Sequence, residues 1–258
     1  MPPFALLALA AAMGLAVGSF LNVCIYRLPR GESVLFPPSR CPRCGKQLAW
    51  FDNIPVISWL VLRGRCRQCA ESISIQYPIV ELVTALIAVM VVLFTPPGPL
   101  LASRLILSAL LIVLFVIDLE LQILPNVITL PGIVIGFAFS FFAPPGPVAS
   151  LAGIALGAGV LYGIAAAYYA IRKEEGMGMG DVKMLAMIGA FLGWRAVLLT
   201  LVLSSFTGAV VGIALMASKR ESLKYALPFG TFLALGALAS MVFGDALITW
   251  YLGFYEGP

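Results

Sequence analysis

The sequence predicts an all-α protein: a polytopic membrane helix bundle of about eight segments, carrying a small cytoplasmic zinc-binding loop domain. Three observations lead there. Of 258 residues, 61% are hydrophobic and only 11% charged, with a mean hydropathy of +1.03, outside the range of soluble domains. The apolar residues fall in runs of about 20, the length that spans a bilayer as a helix. Two Cys-x-x-Cys pairs occupy the only polar stretch of any size.

Apolar runs and their breakers place the segments at 4–25, 77–95, 100–122, 127–143, 150–171, 182–194, 196–217 and 228–252. The first has no basic residue before it and is too long for the core of a signal peptide, so it reads as a retained span. The PPGP tetrapeptides at 96–99 and 144–147 mark tight turns outside the hydrocarbon. The sixth run is short for a full crossing. Basic residues then set the orientation. Arg27, Arg30, Arg40, Arg43, Lys46, Arg63, Arg65 and Arg67 follow the first span, and Arg172, Lys173, Lys183, Lys219, Arg220 and Lys224 fall on the same side if the count is eight. Only Arg104 and Arg195 fall opposite. The positive-inside rule makes the crowded side the cytoplasm and puts both termini outside. The domain reading is therefore a first span at 1–25, a cytoplasmic loop domain at 26–76 and a membrane core at 77–258.

The loop is too small for much of a hydrophobic core and needs a staple. Cys41, Cys44, Cys66 and Cys69 supply one: each Cys-x-x-Cys knuckle offers two sulfurs to a single tetrahedral zinc ion. Two disulfides are disfavoured in a reducing compartment, and a redox motif needs only one pair. Four thiolates leave no open coordination position, so the metal's role is structural. Cys24, alone in the first span, reads as a small buried side chain.

Histidine is absent. That excludes His-ligated metalloprotease sites and Ser–His dyads, so any hydrolytic chemistry falls to carboxylates, cysteines, serines or lysines. Acids inside spans are functional hypotheses by default, and Glu81, Asp118, Asp181 and Asp245 qualify. Asp118 and Asp181 fall at similar depth on the cytoplasmic side, whereas Glu120 points away from Asp118 on its helix. Two carboxyls sharing a shielded site share a proton: one activates water while the other polarises a carbonyl. The alternative is that these acids only face the interface and pair with Lys183 or Arg172. Gly178 and Gly180 permit a tight approach to a helix that begins at Asp181, where free N–H groups favour the ionised acid.

The segments GSFLNVCIYRLPRG (18–31), WFDNIPVISWL (50–60), ISIQYPIVELVTAL (73–86), IDLELQILPNVITLP (117–131), GMGMGDVKMLAMIGAFLGW (176–194) and LPFGTFLALGA (227–237), with the two cysteine pairs, cover nearly the whole chain in order. Together they resemble the bacterial prepilin peptidases, aspartyl enzymes of the GxGD intramembrane class. The resemblance implies catalytic aspartates Asp118 and Asp181, with Gly178, Gly180, Lys183 and Glu81 in supporting roles. It implies cleavage of the basic leader of prepilins and pseudopilins after a glycine, at the cytoplasmic face of the bacterial inner membrane. Methylation of the new N-terminus with S-adenosylmethionine would follow. Where the family often reads Leu-Pro-Asp, this chain has Leu124-Pro125-Asn126, so the working acid of that segment is Asp118. Glu175 also fits the family pattern. Gly18, Asn22 and Glu81 are candidates for the methylation half from the resemblance alone; the methyl-donor site is not legible. Asp245 reads as interfacial. Membrane lipids are the expected partners of the loop arginines, and no nucleic-acid partner is expected. The rival readings are a peptidase without methylation, a transporter with a zinc-knuckle loop, a presenilin-type protease and a non-catalytic assembly scaffold.

Overall fold

The computed structural model describes residues 3–41, 43–174, 178–217 and 227–253. Gly176, Glu175 and the basic cluster at 219–224, all invoked above, lie outside those residues. Among the described residues there is no strand, only two isolated bridges, so the protein is all-helical as expected. It divides into two compact units, 1–97 and 98–258.

The first unit holds α1 (Pro3–Arg27), a short α2 (Ile57–Val61) and α3 (Gln76–Phe94). The helices α1 and α3 pack along much of their length. Gly18 is what lets them: a β-carbon there would stand 2.7 Å from the Cα of Glu81. At the end of α1, Arg27 is buried and donates to the carbonyls of Ser33 (2.8 Å) and Pro37 (2.7 Å), folding the chain back into the loop.

The second unit contains α4 (Pro99–Leu121), α5 (Asn126–Phe139), α6 (Pro147–Arg172), α7 (Met179–Ala217) and α8 (Phe229–Gly253). Sequence chemistry fixes their ends. Proline opens α4 and α6 at the first helical turn, where its missing N–H costs nothing. Gln122 closes α4 in the left-handed conformation, donating its N–H to the Asp118 carbonyl, and Pro125 prevents the helix from resuming. The helices α6 and α7 cross with their backbones touching: a β-carbon on Gly153 would strike the carbonyl oxygen of Gly189, and one on Gly189 would strike that of Gly153. The hydroxyl of Ser150 adds a buried 2.7 Å bond to the Ala190 carbonyl.

Among the described residues six helices are long and apolar enough to cross a membrane, and the 14-residue α5 is a shorter apolar helix. The 39-residue α7 is two limbs joined where Gly193 adopts φ 79°, ψ 175°. Gly193, Trp194 and Arg195 line a cavity of about 760 Å³ together with Leu100, Arg104, Pro144, Pro145 and Asp245. Those residues belong to the start of α4, the α5–α6 turn and the later part of α8. The bend of α7 therefore sits at the opposite end of this unit from Asp118. This accounts for the segments expected at 182–194 and 196–217, with the break at Gly193. The two arginines that fell against the positive-inside majority, Arg104 and Arg195, meet in this one cavity, and Asp245 joins them there.

Candidate active site and metal centre

Asp118 occupies the last turn of α4 and is 4% exposed. A carboxyl carried so deep on a helix requires donors, and α8 provides them. The backbone N–H of Thr231 donates to Asp118 Oδ2 at 2.7 Å and its hydroxyl donates to the same oxygen at 3.1 Å, across 113 positions of sequence. Gly230, just before, has to be glycine: a β-carbon there would lie 2.9 Å from both Asp118 Oδ2 and the Cδ1 of Leu124. The start of α8 thus closes directly onto the acid.

Asp181 enters from α7, in its first turn and half-buried. Its N–H donates to the Gly178 carbonyl at 3.2 Å, and α7 begins at Met179, two residues before the start expected at Asp181. Gly180 packs against Leu124, whose Cβ would be 2.8 Å from a β-carbon at that position. Leu124 is therefore the wedge between the Asp181 segment and the Asp118–Gly230 contact, and the two carboxyls come within electrostatic reach of each other. Glu120 is exposed. Lys183 pairs with neither acid; its Nζ donates to Asn126 Oδ1 at 2.9 Å, bridging α7 to the start of α5.

Thr231 and Leu124 carry much of this geometry, and sequence reasoning assigned them nothing. The only available signal for Thr231 was its place after Pro228-Phe229-Gly230 at the opening of a span.

In the first unit, Glu81 is 6% exposed, and its Oε2 accepts the backbone N–H of Val56 at 2.7 Å. Asn22 donates its side-chain amide to the Tyr77 carbonyl at 3.1 Å. Gly18, Asn22 and Glu81 are therefore neighbours on the α1–α3 contact.

The four loop cysteines converge. Their sulfurs lie within 4.8 Å of one another, and Cys41 and Cys69 are 3.9 Å apart. Tetrahedral zinc with bonds of about 2.3 Å requires sulfur separations of about 3.8 Å, so the cluster fits that ion. The two knuckles are built alike. Cys41 N–H donates to the Lys46 carbonyl and Gly45 N–H to that of Cys41; Cys66 N–H donates to the Glu71 carbonyl and Ala70 N–H to that of Cys66. Gly45 and Ala70 hold equivalent left-handed positions, φ 69° and 57°. Backbone N–H groups of Cys69 and Gln68 draw the Cys66 thiol down to about 7, while Cys69 beside it is pushed up to about 11. Arg67 grips Asp52 Oδ1 through Nε (2.9 Å) and Nη2 (2.8 Å), tying the second knuckle to the Trp50–Asn53 turn.

Comparison with known proteins follows the same division. Residues 12–95 match the Bacterial Peptidase A24 N-terminal domain, and residues 105–213 match the Type IV leader peptidase family. The chain is 36% identical over 276 residues to the prepilin leader peptidase/N-methyltransferase of Aeromonas salmonicida (strain A449), covering 97% of this chain and 95% of that one. The Aeromonas hydrophila protein of the same name is 37% identical over 278 residues, at 97% and 95% coverage. The Myxococcus xanthus (strain DK1622) protein of that name is 44% identical over 207 residues, at 79% and 61%. No solved structure matches the chain.

Proposed function

The chain belongs to the type IV leader peptidase family, and from that premise we propose that it removes the leader of prepilins and pseudopilins by aspartyl chemistry at Asp118 and Asp181. One observation carries the assignment: three helix ends, distant in sequence, close around Asp118 and bring Asp181 into its electrostatic field. The arrangement suits a proton-sharing pair. Oδ2 of Asp118 already accepts two hydrogen bonds from Thr231, so Oδ1 is the oxygen left for water or for the shared proton. The ionised member takes a proton from water as that water attacks the scissile carbonyl. The protonated member donates to the carbonyl oxygen, and the proton gained from water goes on to the leaving amine. Leu124, Gly180 and Gly230 keep the approach narrow and apolar, which preserves the pair's coupling. Lys183 and Asn126 hold α7 and α5 in register beside it.

The same chain N-methylates the freshly exposed N-terminus, and S-adenosylmethionine supplies the methyl group. The loop domain at 26–76 serves this second activity, with zinc held by Cys41, Cys44, Cys66 and Cys69 as a structural ion, while the peptidase core lies within 77–258. The protein resides in the bacterial inner membrane with both termini periplasmic and the aspartate pair at the cytoplasmic face. The concentration of basic residues in the loop supports that placement.

Asp118→Asn and Asp181→Asn test the pair. Each variant should lose about 10²–10⁴-fold in leader cleavage while still inserting in the membrane and retaining zinc. Processing at near-normal rates by either variant would remove that residue from the chemistry. A prepilin peptide assayed with and without S-adenosylmethionine, read by mass, separates the cut from the added methyl.

A further inference from the structure

Within the loop of the first unit, α2 shows an unusual surface. Ile57, Leu60 and Val61 stand at i, i+3 and i+4, one face of a helix, and are 59%, 61% and 71% exposed. The other residues of α2 turn inward. The Ser58 hydroxyl donates to the Phe51 carbonyl at 2.6 Å, and the Trp59 indole N–H donates to the Ile73 carbonyl at 3.2 Å. The apolar face is thus presented to the outside by a fixed scaffold.

That scaffold has a defined depth. Val56, immediately before α2, has φ 60° and ψ −49°, a strained conformation for a β-branched residue. Ile57 N–H closes the turn onto the Pro55 carbonyl, and Val56 N–H is held by Glu81 Oε2. Glu81 lies five residues beyond the start of α3 at Gln76, about 7–8 Å along the helix axis. The 19 residues of α3 reach only about 28 Å, no more than the hydrocarbon thickness they must span, so Glu81 lies below the membrane surface. A backbone amide bonded to it must lie close to the boundary between headgroups and acyl chains. Arg63 and Arg65, exposed and directly after α2, supply positive charge at the same level.

We propose that α2 is an interfacial helix, with its Ile57–Leu60–Val61 face seated in the upper acyl region of the bilayer and Arg63 and Arg65 on anionic headgroups. The occupant of this face is lipid, continuous with the lipid around α3. Glu81 acts as the positioning group that keeps α2 at that depth.

The test uses the full chain in vesicles of phosphatidylcholine and phosphatidylglycerol. A Leu60→Trp variant is compared with the parent, so that the added emission reports this face alone, and zinc content confirms the fold. Phosphatidylcholine brominated near the top of one acyl chain should quench the added emission, and iodide should not. Quenching by iodide instead, or shielding from both quenchers by protein, overturns the proposal. Val61→Trp reads the same face independently. Should neither variant fold, a phospholipid carrying a photoreactive group at upper-chain depth, applied to the unaltered protein, should label residues 57–61. Absence of label there while α3 is labelled overturns the proposal equally.

Discussion

Thr231 illustrates what single residues contribute to this protein. Its hydroxyl and its N–H both end on one oxygen of Asp118, so it orients the acid without itself offering chemistry. Thr231→Val keeps the volume and the backbone bond but removes the hydroxyl. A hydrogen bond to a charged group is worth about 1.5–3 kcal/mol, so kcat for leader cleavage should fall about 10–100-fold with KM little changed, and Thr231→Ser should restore most of it. Equal activity in the valine and serine variants would show that the hydroxyl does not matter. A second residue-scale test lies in the zinc knuckles, where Gly45 and Ala70 occupy equivalent left-handed positions. Left-handed backbone costs an alanine about 1–2 kcal/mol, part of which glycine's greater unfolded entropy cancels. Ala70→Gly should therefore slow zinc loss to a chelator by a few-fold, while Gly45→Ala should hasten it.

At the scale of elements, the decisive contacts are those in which glycine lets helices meet. The crossing of α6 and α7 has carbonyl oxygens where a side chain would otherwise stand, and α7 is the helix that delivers Asp181. Gly189→Ala must push the two helices apart. Overpacking of this kind costs about 1–3 kcal/mol, so the variant should melt at a lower temperature in detergent and lose cleavage in parallel. An unchanged Tm would mean that the crossing tolerates a methyl group. The elements themselves were largely legible in advance. Runs of apolar residues, the prolines at 99 and 147 and the glycine-rich turns located the helices, because in lipid a helix is the only way a single segment satisfies its own backbone. The join between the sixth and seventh segments was legible to within two residues, because Arg195 interrupts the apolar run. The backbone conformation at Gly193 places the break itself two residues earlier.

At the scale of the whole molecule, two chemistries occupy one chain, and a metal held by the four loop cysteines would separate them experimentally. Cys41→Ser should release zinc and loosen the 26–76 loop. Methylation should fall with the metal while Asp118 and Asp181 continue to cut, which mass analysis of the product N-terminus would show as cleaved but unmethylated peptide. Methylation that survives zinc loss would detach the loop from that activity. By itself the sequence determined the apolar helical segments, the four-thiolate cluster and a short list of acids that included Asp118 and Asp181, because each rests on local composition or spacing: apolar run length, paired Cys-x-x-Cys, and charge where charge is costly; the resemblance to a family narrowed that list to two. Only the tertiary structure decided the surroundings of Asp118, the pairing of Lys183 with Asn126, the meeting of Arg104, Arg195 and Asp245 in one cavity, and the anchoring of Val56 on Glu81. Those are contacts between residues far apart in the chain, made by which helix ends happen to close on one another. A single sequence records the length and polarity of each helix, but the partner that supplies a buried carboxyl with its donors is set by packing.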